Sequence, residues 1–378
     1  VRIALNTRFL LPNELEGVGW FTYEIARRLV EQHPEHEFLF FFDRKPDPRF
    51  IFGKNVQFVV LFPPARMPVL WWWWFEISVA RALKKYQADV FVSFDGYCSL
   101  RATTPTVLVL HDLAYLHLPK HVPKKVLRYY TRYIPRFLQR ADRIVTVSEF
   151  SKQDIIQQFT IEPAKIAVAY NGCKPTFQPL TEAEKQAVQI QYSNGQPYFL
   201  YVGAVHPRKN VHRLIQAFDQ FKQLTQSATK LLIGGRFAWQ TGAVKNAYDH
   251  ALFKNDIVLL GYVPDAELPR ITGAALGLAY VSLFEGFGVP LLEAMHAEVP
   301  IITSNVSSMP EVAGEAALLV NPENTDEIVK AMQELYESAT LRRDLIAKGK
   351  IQRKKFTWER AAAVVWESVS YGSSHRIF

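Results

Sequence analysis

Cysteine is nearly missing from this chain: 378 residues hold only Cys98 and Cys173. The two lie far apart in sequence, so they make neither a disulfide framework nor a metal cluster, and a reducing cytoplasm suits them. Long apolar runs are missing too; none could span a bilayer. No signal peptide precedes the first strand-like segment, Arg2 to Asn6. The expected protein is soluble or peripheral. Low-complexity segments and short repeats are absent. So are Walker A, zinc-ligand and Gly-x-Ser-x-Gly patterns. No Asp-x-Asp occurs anywhere. The usual chelator of a substrate-bound metal is therefore lacking, and neither metal nor cofactor is expected.

What the chain does contain is hydrophobic residue and positive charge. Its length suggests two domains, and a hydrophobic content of 49% lets each bury a core. The net charge is +8 and the pI about 9.3. That favours an anionic partner: a nucleotide diphosphate, a membrane surface or a nucleic acid. Charge alone does not choose among them.

Strand-like and helix-like segments alternate, which predicts parallel sheets covered by helices. In the first half the strands read as 2–6, 37–42, 56–61, 89–93, 106–110, 143–147 and 166–169. Helices read near 18–32, 71–86, 124–140 and 149–158. The turn-rich stretch from Tyr170 to Pro175 looks like a boundary, giving domains 1–175 and 176–357. Thr181 with Glu184 then forms a capping box. The second half repeats the pattern, with strands at 198–202, 230–234, 257–260, 276–281, 300–302 and 317–320. Its helices read near 209–224, 240–253, 290–297, 324–337 and 340–354, and Asn324 with Glu327 resembles another capping box. An amphipathic helix from Trp358 closes the chain.

The most specific stretch is Ser282-Leu283-Phe284-Glu285-Gly286-Phe287-Gly288-Val289-Pro290-Leu291-Leu292-Glu293-Ala294-Met295. A hydrophobic strand runs into a glycine-spaced loop, and Pro290 opens a helix. Loop amides and a helix N-terminus make an anion site. Glu285 stands before that site and Glu293 about one turn beyond it. A diphosphate between two polyhydroxy rings fits: amides to phosphate, one carboxylate near each ring. Two glutamates at this spacing alone would be an ordinary feature of a charged helix. The whole string resembles the Glu–seven residues–Glu motif of the retaining GT-B glycosyltransferases, family four.

The resemblance implies an α/β GT-B fold, two Rossmann-like domains facing a central cleft. The N-terminal domain would lie on the acceptor side, with the terminal helix 358–378 packed back on it. The C-terminal domain would hold a nucleotide-sugar. Catalytic roles fall on Glu285, His111, Lys209 and Arg208. Donor binding falls on Gly17, Gly19, Gly203, Tyr262, Val263, Gly286, Phe287, Gly288, Val289, Leu291 and Glu293. Glu285 would hold the sugar hydroxyls and Glu293 the ribose diol. Arg208 and Lys209, opening a helix at a strand's end, would bind the pyrophosphate; Arg supplies a planar fork and Lys a compact charge. His111 would donate to the donor sugar or the β-phosphate. Asp112 is read as fixing its loop, and Ser148 as a helix cap. Gly17-Val18-Gly19 would form a loop against the donor, although taken alone it is only a flexible turn. Tyr262 and Val263 would meet the base through backbone. Three positions depart from the family's pattern: Trp20, Ala204 and Lys174.

One surface feature stands apart. Trp71 to Trp74 opens an apolar helix, and Arg128, Arg132, Arg136 and Arg140 recur at four-residue spacing with Pro135 among them. This is either a solvated face with core tryptophans or a dock for an anionic bilayer carrying a lipid-linked acceptor.

The expected activity is transfer of a hexose, mannose favoured, to a glycan or lipid-linked acceptor in polysaccharide or lipopolysaccharide synthesis. The setting would be cytoplasmic or on the inner face of the membrane, with no nucleic-acid partner. An epimerase or a phosphorylase of the same fold, an inactive sugar-nucleotide binder and, from charge alone, a nucleic-acid binder remain as alternatives.

Overall fold

In the computed structural model, residues 1–12, 15–236 and 242–374 are described. Contacts divide the chain into two units, Val1–Asn171 with Thr357–Phe378, and Gly172–Phe356.

The first unit is built on seven parallel strands: β1 (Arg2–Asn6), β2 (Glu37–Phe42), β3 (Val56–Val60), β4 (Val90–Ser93), β5 (Thr106–Val109), β6 (Arg143–Thr146) and β7 (Ile166–Val168). Their spatial order is β3-β2-β1-β4-β5-β6-β7. Residues 38–42 of β2 are all buried, which explains why the strand reads as an unbroken run of Phe and Leu: helices cover both faces. The closing helix Trp358–Ser374 packs on helix Gly17–Gln32. Arg28 meets Glu359 at 2.8 Å, and Trp366 stacks on His33 with ring centroids 3.5 Å apart.

The second unit repeats the plan with β8 (Tyr198–Val202), β9 (Lys230–Gly234), β10 (Ile257–Gly261), β11 (Gly277–Tyr280), β12 (Ile301–Ser304) and β13 (Ala317–Val320). The order is β10-β9-β8-β11-β12-β13, all parallel. Strand order reverses between β8 and β11. In open α/β sheets ligands bind beyond the carboxyl ends of the strands at such a reversal.

Several expectations need correction. The helix expected over 71–86 begins at Pro68, because proline suits a first turn. It then continues through a π-helical stretch, Trp74–Val79, into Ala80–Lys85. Helix 124–140 keeps Pro135 inside it. The helix expected to start at 209 starts at Val211; Pro207–Lys209 is a tight 3-10 turn and Asn210 takes a left-handed conformation between the two. Residues 240 and 241 of the expected helix 240–253, and residues 375–378 of the closing segment, lie outside the described residues; the described part of the former runs Gly242–His250. Thr181 and Glu184 form the reciprocal box. Asn324 caps the amides of Asp326 and Glu327, but Glu327 reaches the amide of Asn321 rather than that of Asn324.

Candidate functional site

The loops after β8 and β11 bring three charged side chains together. Glu285 follows β11 and is buried. Its Oε1 lies 2.5 Å from Lys209 Nζ and its Oε2 2.8 Å from Arg208 Nη1. Tyr280 donates its hydroxyl to Oε1 at 3.0 Å. Burial alone would raise this carboxyl. The two cations outweigh it and hold the pKa down at about 2.

The backbone around the carboxylate is fixed from several sides. The Glu285 amide donates to Ser307 Oγ at 3.1 Å, and Ser308 Oγ donates to the carbonyls of Glu285 and Phe287. The Leu283 amide donates to the Arg208 carbonyl at 2.8 Å, which ties the two loops. Asn210 Nδ2 reaches the carbonyls of Val281 and Pro322. Arg208 also donates to Phe284 O. The cations are therefore set by a proline turn and a left-handed Asn, rather than by helix register.

Gly288 caps the helix Val289–His296 at φ +97°, and a Cβ there would come within 2.4 Å of Met309 Cε. The positive φ favours glycine, and a Cβ would in addition have to push the Met309 tip aside. Pro290 occupies the first turn, one residue later than expected. Phe287 is buried, edge-on to Phe356 at 5.5 Å, while Leu291 is fully buried.

Glu293, on the next turn, is also buried. Lys174 lies near, but its Nζ pairs with Asp265 at 3.2 Å. Burial raises the Glu293 carboxyl to about 7; Lys174 opposes that rise and Asp265 adds to it. The Cys173 thiol is pushed up by burial and then by Glu293.

Gly203 follows β8 at φ +140°, and its carbonyl lies where a Cβ on Gly235 would fall. Tyr262 is exposed, and Val263 packs so that a Cβ on Gly234 would meet its methyl at 2.9 Å.

The first unit holds the other expected residues. His111 follows β5, and its Nε2 lies 2.9 Å from Phe94 O. A carbonyl can only accept, so Nε2 carries a proton. Burial lowers the ring's pKa and keeps it neutral. The neutral ring then offers Nδ1 as an acceptor, not the donor expected from sequence. Asp112 accepts from the Ala114 amide at 2.9 Å, and Ser148 accepts from Ser151 N at 3.0 Å. Gly17 and Gly19 belong to the first turn of helix Gly17–Gln32, not to a loop. A Cβ on Gly19 would meet Phe9 O at 2.8 Å, whereas nothing lies within 4 Å of one on Gly17. Close packing inside the unit thus explains Gly19.

Sequence reasoning placed the acid and the two cations at strand ends but missed their mutual pairing. It also missed Tyr280, Ser307 and Ser308, which carry no local signal. Among the described residues no group of three His, Cys, Asp or Glu could hold a metal ion, and no helix is long and apolar enough to cross a membrane.

Comparison with known proteins matches residues 182–352 to the group 1 glycosyl transferases and residues 15–177 to Glycosyltransferase Family 4. The O-antigen chain mannosyltransferase B of Escherichia coli is 33% identical over 361 residues, covering 91% of this chain and 93% of its own. Among solved structures, sucrose-phosphate synthase of Thermosynechococcus elongatus superposes with a TM-score of 0.79 at 18% identity, over 97% of both chains. HepE of Anabaena, solved with UDP and glucose, gives 0.76 at 17% identity over 98% of this chain and 99% of its own.

Proposed function

The chain belongs to the group 1 glycosyl transferases and has their GT-B fold, and from that premise we propose a retaining mannosyltransferase. It would move a hexose, mannose favoured, from a nucleotide diphosphate-sugar such as GDP-mannose to a hydroxyl of a glycan or lipid-linked acceptor. The 33% identical relative, an O-antigen chain mannosyltransferase, supports mannose and an O-antigen acceptor of the lipopolysaccharide class. The setting proposed is the cytoplasm, and the chemistry is proposed to need no metal.

One observation carries the mechanism: buried Glu285 clamped between Arg208 and Lys209. In the proposal the diphosphate takes over the two cations. Glu285 is then free to accept from the sugar's hydroxyls. The bond from the anomeric carbon to the diphosphate breaks, and the leaving group gains charge beside fixed cations, which lowers the barrier. The acceptor oxygen bonds to the same carbon, and its proton passes to the leaving phosphate. Backbone of Gly286, Phe287, Gly288, Val289 and Leu291 would flank the phosphates. Glu293 would accept from the ribose diol, and Gly203, Tyr262 and Val263 would lie toward the base. The resemblance also gives donor-side roles to Gly17, Gly19 and His111; here the glycines would act from a helix turn rather than a loop, and His111 would accept from a sugar hydroxyl rather than donate.

The test is a thermal-shift panel of nucleotide-sugars, then a transfer assay with EDTA and an NMR reading of the product anomer. A ligand at a hundred times its dissociation constant stabilises by about 2.7 kcal/mol. No stabilisation and no transfer by any donor would sink the reading. An inverted anomer would remove retention. Activity lost in EDTA and restored by manganese would show a metal site.

A further inference from the structure

The first unit exposes an apolar rim that its own core does not cover. Between residues 62 and 73, Phe62 is 81% exposed, Val69 66%, Met67 53% and Trp73 51%. Val69 and Trp73 are four residues apart and share a helix face. Their neighbours turn inward. Trp71 Nε1 donates to Ala65 O at 2.9 Å, and Trp74 is fully buried with Nε1 3.3 Å from Leu61 O. The tryptophan run thus anchors the segment with two rings and presents a third to solvent. Ser78 Oγ donates to Phe62 O at 2.5 Å and holds the loop along the helix. Single exposed apolar residues are ordinary, but a run of large ones on one loop and helix marks a contact surface.

The exposed charges on this segment and on the helix beside it have one sign. Residues 57–75 contain a single charged side chain, exposed Arg66. Trp71 stacks on Tyr130 at 6.4 Å, which brings helix Lys124–Arg140 alongside. Residues 113–141 carry seven Lys or Arg and no Asp or Glu. Arg128, Arg132 and Arg136 are exposed, as is Arg101, which covers the Trp72 ring at 5.4 Å. Arg140 does not belong with them: its guanidinium donates to the carbonyls of Ala102 and Thr104. The expected stripe of four is therefore three. Two acids close by are buried: Glu76 accepts from the Leu100 amide at 2.9 Å and lies 3.9 Å from Arg101, and Asp43 accepts from the Ala65 amide at 3.0 Å.

We propose that this face docks on an anionic lipid bilayer. Phe62, Met67, Val69 and Trp73 would enter the boundary between headgroups and acyl chains, where tryptophan is favoured. Arg66, Arg128, Arg132 and Arg136 would lie over the lipid phosphates. Both terms are needed for stable peripheral binding: buried apolar area and attraction to anionic headgroups. A nucleic acid would satisfy the cations and leave the rim in water. A second copy would set an acid-free basic helix against its own twin, at a repulsive cost. No residue of the face belongs to the proposed donor site, so the proposal stands or falls apart from the transfer chemistry.

The experiment is flotation of the full chain with vesicles of phosphatidylcholine, alone or mixed with phosphatidylglycerol, at low and high salt. Two variants accompany it, Phe62→Ser/Trp73→Ser and Arg128→Glu/Arg132→Glu/Arg136→Glu. All five side chains are exposed, and matching unfolding midpoints check the fold. The wild type should float with the anionic vesicles and lose binding as salt screens it. Each exposed cation near such a surface strengthens partition about fivefold, so the triple variant should lose about a hundredfold or more. The apolar variant should lose about tenfold even at low salt. Independently of any variant, acyl-brominated lipid in the anionic vesicles should quench the wild type's tryptophan fluorescence. Equal binding to both vesicle types, unaltered binding by the apolar variant, or no quenching would each overturn the proposal. So would a wild-type dimer that Phe62→Ser/Trp73→Ser dissolves, which would assign the face to a second copy.

Discussion

Glu285 and Glu293 sit on one loop and one helical turn, both buried, yet their surroundings drive them in opposite directions. Glu285 is held at about 2, Glu293 is raised to about 7. Burial pushes both upward, so burial is not the difference. Cations are. Glu285 meets Arg208 and Lys209, brought in from the end of β8. The cation acting on Glu293 is Lys174, which pairs with Asp265 at 3.2 Å. One carboxylate is therefore charged at all working pH and part of an ion cluster. The other is partly protonated near neutrality. Equal residues at a fixed spacing acquire different chemistry from distant parts of the chain.

The largest expected effect tests the charged end. Lys209→Ala removes one of the two cations facing Glu285 and the proposed diphosphate. Losing one fixed donor that stabilises developing charge typically costs roughly 10²–10³ in turnover. Glu293→Gln should instead raise KM and leave kcat nearly unchanged, because a ribose contact is made equally in the ground and transition states. Steady-state kinetics of both variants give the contrast. Unchanged turnover in Lys209→Ala would remove the cation's role, and an equal kcat loss in both would erase the distinction between the two ends.

Much of this arrangement is legible in sequence. A hydrophobic strand, a glycine-spaced loop and Pro290 place Glu285 at a strand end, and the same pattern after β8 places Lys209. Gly288 is legible because a glycine shortly before Pro290 suits the turn from strand to helix, and its φ of +97° fits that reading. The pairing of the three charges is not, since Lys209 and Glu285 lie 76 residues apart and local pattern does not report such contacts. Helices Leu268–Gly273 and Met309–Ala313 escape for another reason: each is too short to show helical periodicity. Their Pro269 and Pro310, with Gly273 and Gly314 behind, are signals that end-of-helix chemistry could have read. Arg140 shows the reverse failure. It keeps the spacing of Arg128, Arg132 and Arg136, but the carbonyls of Ala102 and Thr104 claim it.

A smaller effect tests the buried acid through stability. The folded pKa of Glu293, about 7, lies above the ordinary 4.5, so the native state keeps a proton that the unfolded chain releases. Stability therefore falls as pH rises from about 4.5 to 7, and the full penalty is present above that. The shift corresponds to about 3 kcal/mol at most. Glu293→Gln should unfold at a higher temperature than wild type at pH 8 and show little gain at pH 5. Glu285 has the opposite sign: its contribution is complete above 4.5 and is lost as pH falls toward 2. Identical melting profiles for wild type and Glu293→Gln from pH 5 to 8 would mean that Glu293 does not carry the penalty.

The smallest effect concerns ligand affinity across neutrality. If the ionised Glu293 accepts from the ribose diol, binding requires the proton to leave. Its charged fraction rises about tenfold between pH 6 and 8 for a pKa near 7. Affinity should tighten by about that factor. A nucleotide diphosphate-sugar is the better probe, because a free diphosphate titrates its own terminal oxygen in this range. Lys174 and Asp265 act on Glu293 and pair with each other, and the Cys173 thiol, pushed upward by burial, stays protonated in this range. Glu285, held near 2, contributes no slope. Calorimetric titration of wild type and Glu293→Gln at each pH decides the matter. A tightening seen in wild type and flat in the variant assigns the slope to Glu293. A slope that survives in the variant would place the titrating group elsewhere, and the contrast between the two glutamates would then concern stability alone.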